Sequence, residues 1–231
     1  MIHQVILAAP KPGMTTGQFQ DYWVNVHAVQ YASKIPQIRK YLIDTRVPFD
    51  GDVGEPGLPH QGIAEIWLEN EEEQLASLST DEFLNGARLD EPKWAAFWFT
   101  IVLDTTAHEI VAAPRDGGGV KAVYLLKRRP GLPLDEYRKR TLDEYAEAVS
   151  TLPGLRGYVH GHTRDGFYVF GESSFDSVEQ LWFDDTAALT AALASPQWRD
   201  RVAPARAELV DPKYVFSLAV QENWIIGPDL R

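Results

Sequence analysis

Lys11-Pro-Gly-Met-Thr-Thr-Gly-Gln-Phe19-Gln-Asp-Tyr-Trp-Val-Asn-Val-His27 is a turn followed by an amphipathic helix carrying one histidine. Pro12-Gly13 has the chemistry of a tight turn. Thr15 and Gln18 have the spacing of a capping box, in which the two side chains satisfy orphan backbone donors at a helix start. The pattern predicts a helix over residues 16–33. On it Phe19, Trp23, His27 and Gln30 or Tyr31 recur at steps of three and four, so they share one face that must turn toward a core. His27 interrupts the apolar stripe set by Phe19 and Trp23.

Working outward, residues 2–8 read as a short β-branched strand entering that turn, and Pro36 ends the helix. Residues 38–46 read as a second strand, 47–61 as a rim loop rich in Gly, Pro and Asp, 62–68 as a third strand and 71–84 as a more polar helix. After Asp90-Glu-Pro-Lys and the aromatic run from Trp94 to Phe99, residues 101–103 read as a fourth strand. Beyond Arg115-Asp-Gly-Gly-Gly119 the same grammar restarts, with strand 120–126, the turn Arg129-Pro-Gly-Leu and helix 134–150. Pro12-Gly13 maps onto Pro130-Gly131 (130 − 12 = 118), Pro36 and Tyr41 onto Pro153 and Tyr158 (158 − 41 = 117), and Trp67 and Phe83 onto Trp182 and Trp198 (182 − 67 = 115). A slowly drifting offset is what loop insertions and deletions produce. The expected fold is therefore α+β: two tandem ferredoxin-like βαββαβ repeats, residues 1–112 and 120–231, joined by a glycine-rich linker at 113–119. Each antiparallel sheet would have an apolar face that a lone copy cannot bury, so the two sheets are expected to pack into one barrel.

The 231 residues are 45% hydrophobic and 11% aromatic, ample for a packed core, with a net charge of −11. That charge argues against nucleic acid or an anionic membrane surface, which need clustered cations; Lys127-Arg128-Arg129 is too short to reverse it. With no cysteine there is no disulfide, thiolate nucleophile, iron–sulfur cluster or Cys-ligated zinc. No stretch approaches the roughly 20 apolar residues of a membrane span, and the N-terminal apolar run is too short for a signal peptide. The expectation is a soluble, cytoplasmic protein. Dinucleotide, Walker and Gly-x-Ser-x-Gly motifs do not occur, which removes the usual nucleotide and serine-hydrolase readings.

The first strand, the basic-Pro-Gly turn at Lys11-Pro12-Gly13, the helix with Phe19, Tyr22-Trp23 and His27, and then Pro36, Tyr41 and the Trp67 strand resemble the EthD family of the dimeric α+β barrel superfamily. The second copy shares the resemblance through Lys127 to Gly131, Tyr137, Pro153-Gly-Leu-Arg156 and Tyr158. In that superfamily two four-stranded sheets pack into a barrel across a homodimer. The resemblance implies an intramolecular pseudo-dimer here, with a further homodimer left open. It also implies a small enzyme acting on apolar aromatic, polyketide or ether-type molecules, in some members decarboxylating or dehydrating without a cofactor. Tandem barrels of the superfamily include haem enzymes resembling chlorite dismutase, but no haem motif is visible and the cofactor expectation is none. Reaction type does not transfer from fold to member.

An imidazole titrates near neutral pH, so His27 on a helix face opening toward an apolar cavity suits a general acid or base; the competing reading is a core-edge histidine bonded to a backbone carbonyl. Tyr22, as a second catalytic group, could polarise a substrate carbonyl or phenol, with Trp23, Tyr31, Tyr41, Asp44 and Trp67 placed as substrate-binding residues. The second copy has lost the helix histidine and instead carries His160 and His162 two apart on one strand face, a pair that suits substrate contacts; as metal ligands they lack a third partner by spacing, and no metal is expected. Glu65, His108 and Glu109 are weaker acid–base candidates. The functional expectation is a cofactor-free lyase, such as a decarboxylase or dehydratase, or an isomerase or cyclase, acting on an apolar carbonyl compound. A non-catalytic small-molecule binding protein and a monooxygenase of the same superfamily are the alternatives.

Overall fold

In a computed structural model, which describes residues 1–54, 57–115 and 117–231, the N-terminal run forms β1 (Ile2–Ala8) and the turn after it closes by a Met14 amide donating to the Lys11 carbonyl at 3.0 Å. Glu55 and Pro56 of the 47–61 loop and Asp116 of the 113–119 linker lie outside the described residues. Pro12 presets the turn, and Gly13 takes φ of 92°, a conformation that costs a Cβ-bearing residue. Gly131 repeats this with φ of 84° and a Leu132 amide on the Arg129 carbonyl at 3.1 Å.

The eight strands are hydrogen-bonded in the order β1-β3-β2-β8-β5-β7-β6-β4 and close into a barrel. Each half of that order, 4-1-3-2 in its own copy, is the ferredoxin-like arrangement expected from the repeat. The chain divides into two compact units. The first comprises Met1–Arg46, Pro59–Asp104 and Glu222–Arg231, the second Val47–Leu58 and Thr105–Gln221.

In the first unit β3 (Gly62–Leu68) lies antiparallel between β1 and β2 (Lys40–Arg46). The predicted capping box is present: Thr15 Oγ1 accepts the Gln18 amide at 3.2 Å and Gln18 Oε1 accepts the Thr15 amide at 3.0 Å. The helix is less regular than its sequence pattern. α1 (Thr16–Tyr22) widens into a π-helical turn, Trp23–His27, before α2 (Ala28–Gln30) and a 3₁₀ turn, Ala32–Lys34. The second helical stretch begins where predicted, with Asn70 capping α3 (Glu71–Ser77). It then breaks and restarts under a Thr80 cap as the π turn Glu82–Ala87, followed by α4 (Arg88–Asp90). β4 (Ile101–Val111) is longer than the three residues predicted. Phe19, Trp23, Ala28, Tyr41, Ile43 and Trp94 centre the core between these helices and the sheet.

The second unit repeats the plan with β5 (Val120–Arg128), β6 (Gly157–Thr163), β7 (Ser177–Phe183) and β8 (Val210–Ile226). Its first helix is α5 (Leu134–Arg140), a π turn Thr141–Tyr145 and α6 (Ala146–Val149). Its second is α7 (Thr186–Leu193), a π turn Trp198–Val202 and α8 (Ala203–Leu209). The π turns fall at matched positions in the two copies, Trp23 with Thr141 and Phe83 with Trp198, so duplication preserved even these irregularities. Among the described residues no helix is long and apolar enough to cross a membrane.

Candidate functional site

Side chains alternate along a strand, so each sheet face reads as every second residue. In the first unit Gln4, Ile6 and Ala8 of β1, Tyr41 of β2 and Ala64, Ile66 and Leu68 of β3 face the helices and line a cavity of about 450 Å³. Trp23 and His27 enter it from the π turn, and Glu91 and Trp94 from the segment after α4. Alanines at 8, 64, 87 and 95 line it too, and their short side chains leave the space open. The volume lies within the 300–1,000 Å³ usual for small-molecule sites, and the lining is mostly apolar, with a few polar atoms to orient a ligand.

His27 is 5% exposed, and its Nδ1 lies 3.0 Å from Oδ2 of Asp90, itself 1% exposed. Asp90 also accepts from the Tyr22 hydroxyl at 2.9 Å and from Lys93 Nζ at 3.0 Å, both on Oδ1. Burial pushes the Asp90 carboxyl up, but the hydrogen bonds from His27, Lys93 and Tyr22 outweigh it and hold the group below its ordinary range. For His27 the balance runs the other way: burial lowers its pKa, against the hydrogen bond and charge of Asp90. At neutral pH a neutral imidazole thus faces an ionised carboxylate, which can only accept. Nδ1 must carry the proton, leaving Nε2 as the lone-pair nitrogen. Burial, followed by the Asp90 hydrogen bond and charge, raises the Tyr22 phenol, which stays protonated as a donor.

The Trp94 ring packs against His27 at 4.8 Å between centroids, and Trp94 is 3% exposed. Its indole Nε1 is buried without a hydrogen-bond partner. An orphaned buried donor carries a cost of about 1–3 kcal/mol, which a ligand oxygen in the cavity would relieve. The Trp23 indole is hydrogen-bonded to the Tyr41 hydroxyl instead, and burial raises the Tyr41 phenol strongly.

The structure gathers only some of the residues picked from sequence. His27, Trp23 and Tyr41 line the cavity; Tyr22 reaches it through Asp90, and Tyr31 stands beside His27 with ring centroids 6.3 Å apart. Asp44, Glu65 and Trp67 alternate onto the opposite face of the sheet. There Glu65 bonds His3 at 2.6 Å and Trp67 stacks on His3 at 4.5 Å and on Trp224 at 5.8 Å. His160 and His162 lie in the second unit, ring centroids 5.0 Å apart, with His108 5.0 Å from His162. Among the described residues no group of three or more His, Cys, Asp or Glu is placed to hold a metal ion.

In the second unit the equivalent space is filled by its own side chains. Tyr145 stands where His27 does (145 − 27 = 118); its hydroxyl donates to Glu179 at 3.1 Å and accepts from Arg206 Nε at 2.8 Å. Arg206, at the position of Glu91 (206 − 91 = 115), pairs with Glu179 at 2.7 Å and lies 4.4 Å from the Tyr124 ring centre and 4.8 Å from that of Trp198. Glu179 takes the place of Ala64 and Tyr124 that of Ile6, so two lining positions of the first copy carry larger side chains in the second. Asp90 and Trp94 become Ala205 and Leu209. The His–Asp–Trp constellation exists in the first copy alone.

Asp90, Glu91 and Trp94 escaped the sequence reading. Their signal was faint: Asp90 and Trp94 are four residues apart, at the end of a second helix that a ferredoxin-like topology lays beside the first.

The chain belongs to the EthD domain family, whose model matches it twice, over residues 11–97 and 129–213. Solved structures with the same fold include an anthrone oxidase-like protein, 11% identical, with a TM-score of 0.66 over 96% of this chain and 92% of that one. A candidate monooxygenase from Lactobacillus acidophilus NCFM is 11% identical, with a TM-score of 0.55 over 100% and 97%. A candidate chlorite dismutase is 13% identical, with a TM-score of 0.57 over 96% and 95%. No curated protein matches the chain.

Proposed function

We propose, for this member of the EthD domain family, an enzyme that moves a proton on an apolar, carbonyl-bearing aromatic or polyketide-like molecule held in the cavity of the first unit. His27 is the base, and Asp90 fixes its tautomer. The observation that carries this reading is the pairing itself: an imidazole with Nδ1 tied to a buried carboxylate, lining a mostly apolar cavity. As Nε2 takes a proton, the growing imidazolium charge meets the Asp90 carboxylate, so the pair stabilises the protonated state only once the reaction has begun. The Trp94 indole N–H is a donor for the substrate oxygen on which negative charge develops. Such chemistry serves isomerisation, cyclisation or elimination, the lyase and isomerase classes expected from sequence.

The test needs no natural substrate. A bicyclic aryl ketone, 2-tetralone, is incubated with the full chain in deuterated buffer, and loss of its α-CH₂ signal is followed by proton NMR while tryptophan fluorescence reports binding. The wild-type protein is expected to accelerate exchange. His27→Gln should bind the ketone with similar affinity and exchange it about 100-fold more slowly, the scale of general-base contributions. Binding with no exchange in the wild type would make the protein a carrier.

A further inference from the structure

Glu91 opens the 3₁₀ turn Glu91–Lys93, next in sequence to Asp90, and lines the same cavity as His27. Its backbone carbonyl accepts the amides of Trp94 at 3.2 Å and Ala95 at 3.0 Å, so one turn fixes Asp90, Glu91 and Trp94 together. Among the described residues its carboxyl has no hydrogen-bond or ion-pair partner. The groups that face it are Arg88 and Asp90 on its own segment and Tyr41 across the cavity on β2, whose phenol responds to the Glu91 charge. His27 and Lys93 are both held by Asp90. The second copy supplies an internal comparison. At this place the second copy carries Arg206, paired with Glu179 at 2.7 Å, whereas the first copy has the acid Glu91 lining its cavity.

We propose that Glu91 is the acid of this site, and that the substrates are neutral, enolisable ketones whose carbonyl oxygen lies between the Glu91 carboxyl and the Trp94 indole N–H. This rests on His27 being the base. In the step, His27 Nε2 removes a proton from the carbon beside the carbonyl and the C–H electron pair becomes the new C=C bond. The carbonyl π pair takes the Glu91 proton, giving a neutral enol, an imidazolium and a carboxylate. Reprotonation at carbon by the imidazolium and return of the enol proton to Glu91 restore the site. Two protons move and no electrons leave the substrate, so no oxidant is needed. Burial pushes the Glu91 carboxyl up to about 7, with Arg88 opposing the rise and Asp90 adding to it. It is therefore protonated over the acidic to neutral range in which His27, whose pKa is lowered, has already become neutral.

The pH–rate profile of 2-tetralone α-deuteration, background subtracted from pH 5 to 9, tests this with the wild-type chain, Glu91→Gln and His27→Gln. The wild type should lose rate above about pH 7 as Glu91 ionises. Glu91→Gln should be about 100-fold slower at pH 6.5 and show no alkaline limb. A Glu91→Gln rate within twofold of wild type, with the same limb, overturns the assignment while leaving His27 as base if His27→Gln is slow. Full exchange by His27→Gln overturns both. Should Glu91→Gln not fold, the wild-type profile decides: a rate that is flat or rising to pH 9 contradicts an acid at Glu91.

Discussion

At the scale of single residues, His27 was legible because periodicity exposes a polar group on an apolar stripe. Asp90 was not, because its 63-residue separation from His27 leaves no local pattern to read. Asp90 is the residue on which the site turns, since it holds His27, Tyr22 and Lys93 at once. In Asp90→Asn the hydrogen bond and charge that raise His27 are weakened, so burial acts with less opposition and the His27 titration midpoint should fall below its wild-type value. NMR titration of the imidazole C–H resonances measures this; an unchanged midpoint would place the Asp90 influence elsewhere. The same variant should lose about 1–3 kcal/mol of stability at neutral pH. The pKa of Asp90 is depressed on folding, so its stabilisation is present above the ordinary carboxylate pKa near 4 and is lost as pH falls through the lower folded value.

At the scale of elements, the two first helices share a turn and a π-helical register, although Thr15 caps the first while Pro133 leaves the second uncapped, and one frames a cavity and the other a packed polar cluster. The sequence pattern showed that the helix histidine was lost and two strand histidines gained. It could not show that the tyrosine, arginine and glutamate around them close the space, because Arg206 of α8 and Glu179 of β7 meet only when the helix packs on the sheet. Removing one partner leaves a buried charge unpaired. Arg206→Met alone should therefore cost about 3–5 kcal/mol, and the double variant Arg206→Met/Glu179→Ala should regain most of it; urea denaturation reads both. Equal losses in the single and double variants would show that the pair does not act as a unit.

The second copy's histidines make a further prediction at this scale. Burial, then the neighbouring His108, lowers His162 to about 3, and burial first, then His162 and His108, lowers His160 well below its ordinary value. Both fold as neutral rings. For a pKa lowered on folding, the unfolded chain binds the proton more readily, so their contribution is complete above about pH 6.5 and declines as pH falls toward the folded values. Each can contribute a slope of up to about 1.4 kcal/mol per pH unit in that window. Stability of His162→Gln should depend less steeply on pH between 6 and 4 than that of wild type; an equal slope would exclude His162 as a source.

At the scale of the whole molecule, the repeat carried nearly all of the fold: the offset of 115–118 residues predicted two ferredoxin-like copies, and the barrel strand order follows from them. The trading of segments was invisible, since a repeat alignment compares copies without asking where a loop packs. Val47–Leu58 belongs to the second unit and Glu222–Arg231 to the first. Within the first unit Asn223 donates to the Ile43 carbonyl at 3.1 Å, Arg231 Nη1 to the Ser33 carbonyl at 2.9 Å, and Trp224 stacks on Trp67. A fragment of residues 1–112 lacks these contacts and should dimerise or precipitate in light scattering, exposing apolar sheet to water. A folded monomer of that fragment would contradict a shared barrel.

On the proposed function, proton-transfer chemistry resides in the first copy alone. The most direct measurement compares 2-tetralone α-deuteration by wild type, His27→Gln and His162→Gln under one condition at pH 6.5. His27→Gln is expected to lose approximately 100-fold and His162→Gln to stay within twofold of wild type; the reverse order, or no loss in a folded His27→Gln protein, would place the chemistry outside the first copy.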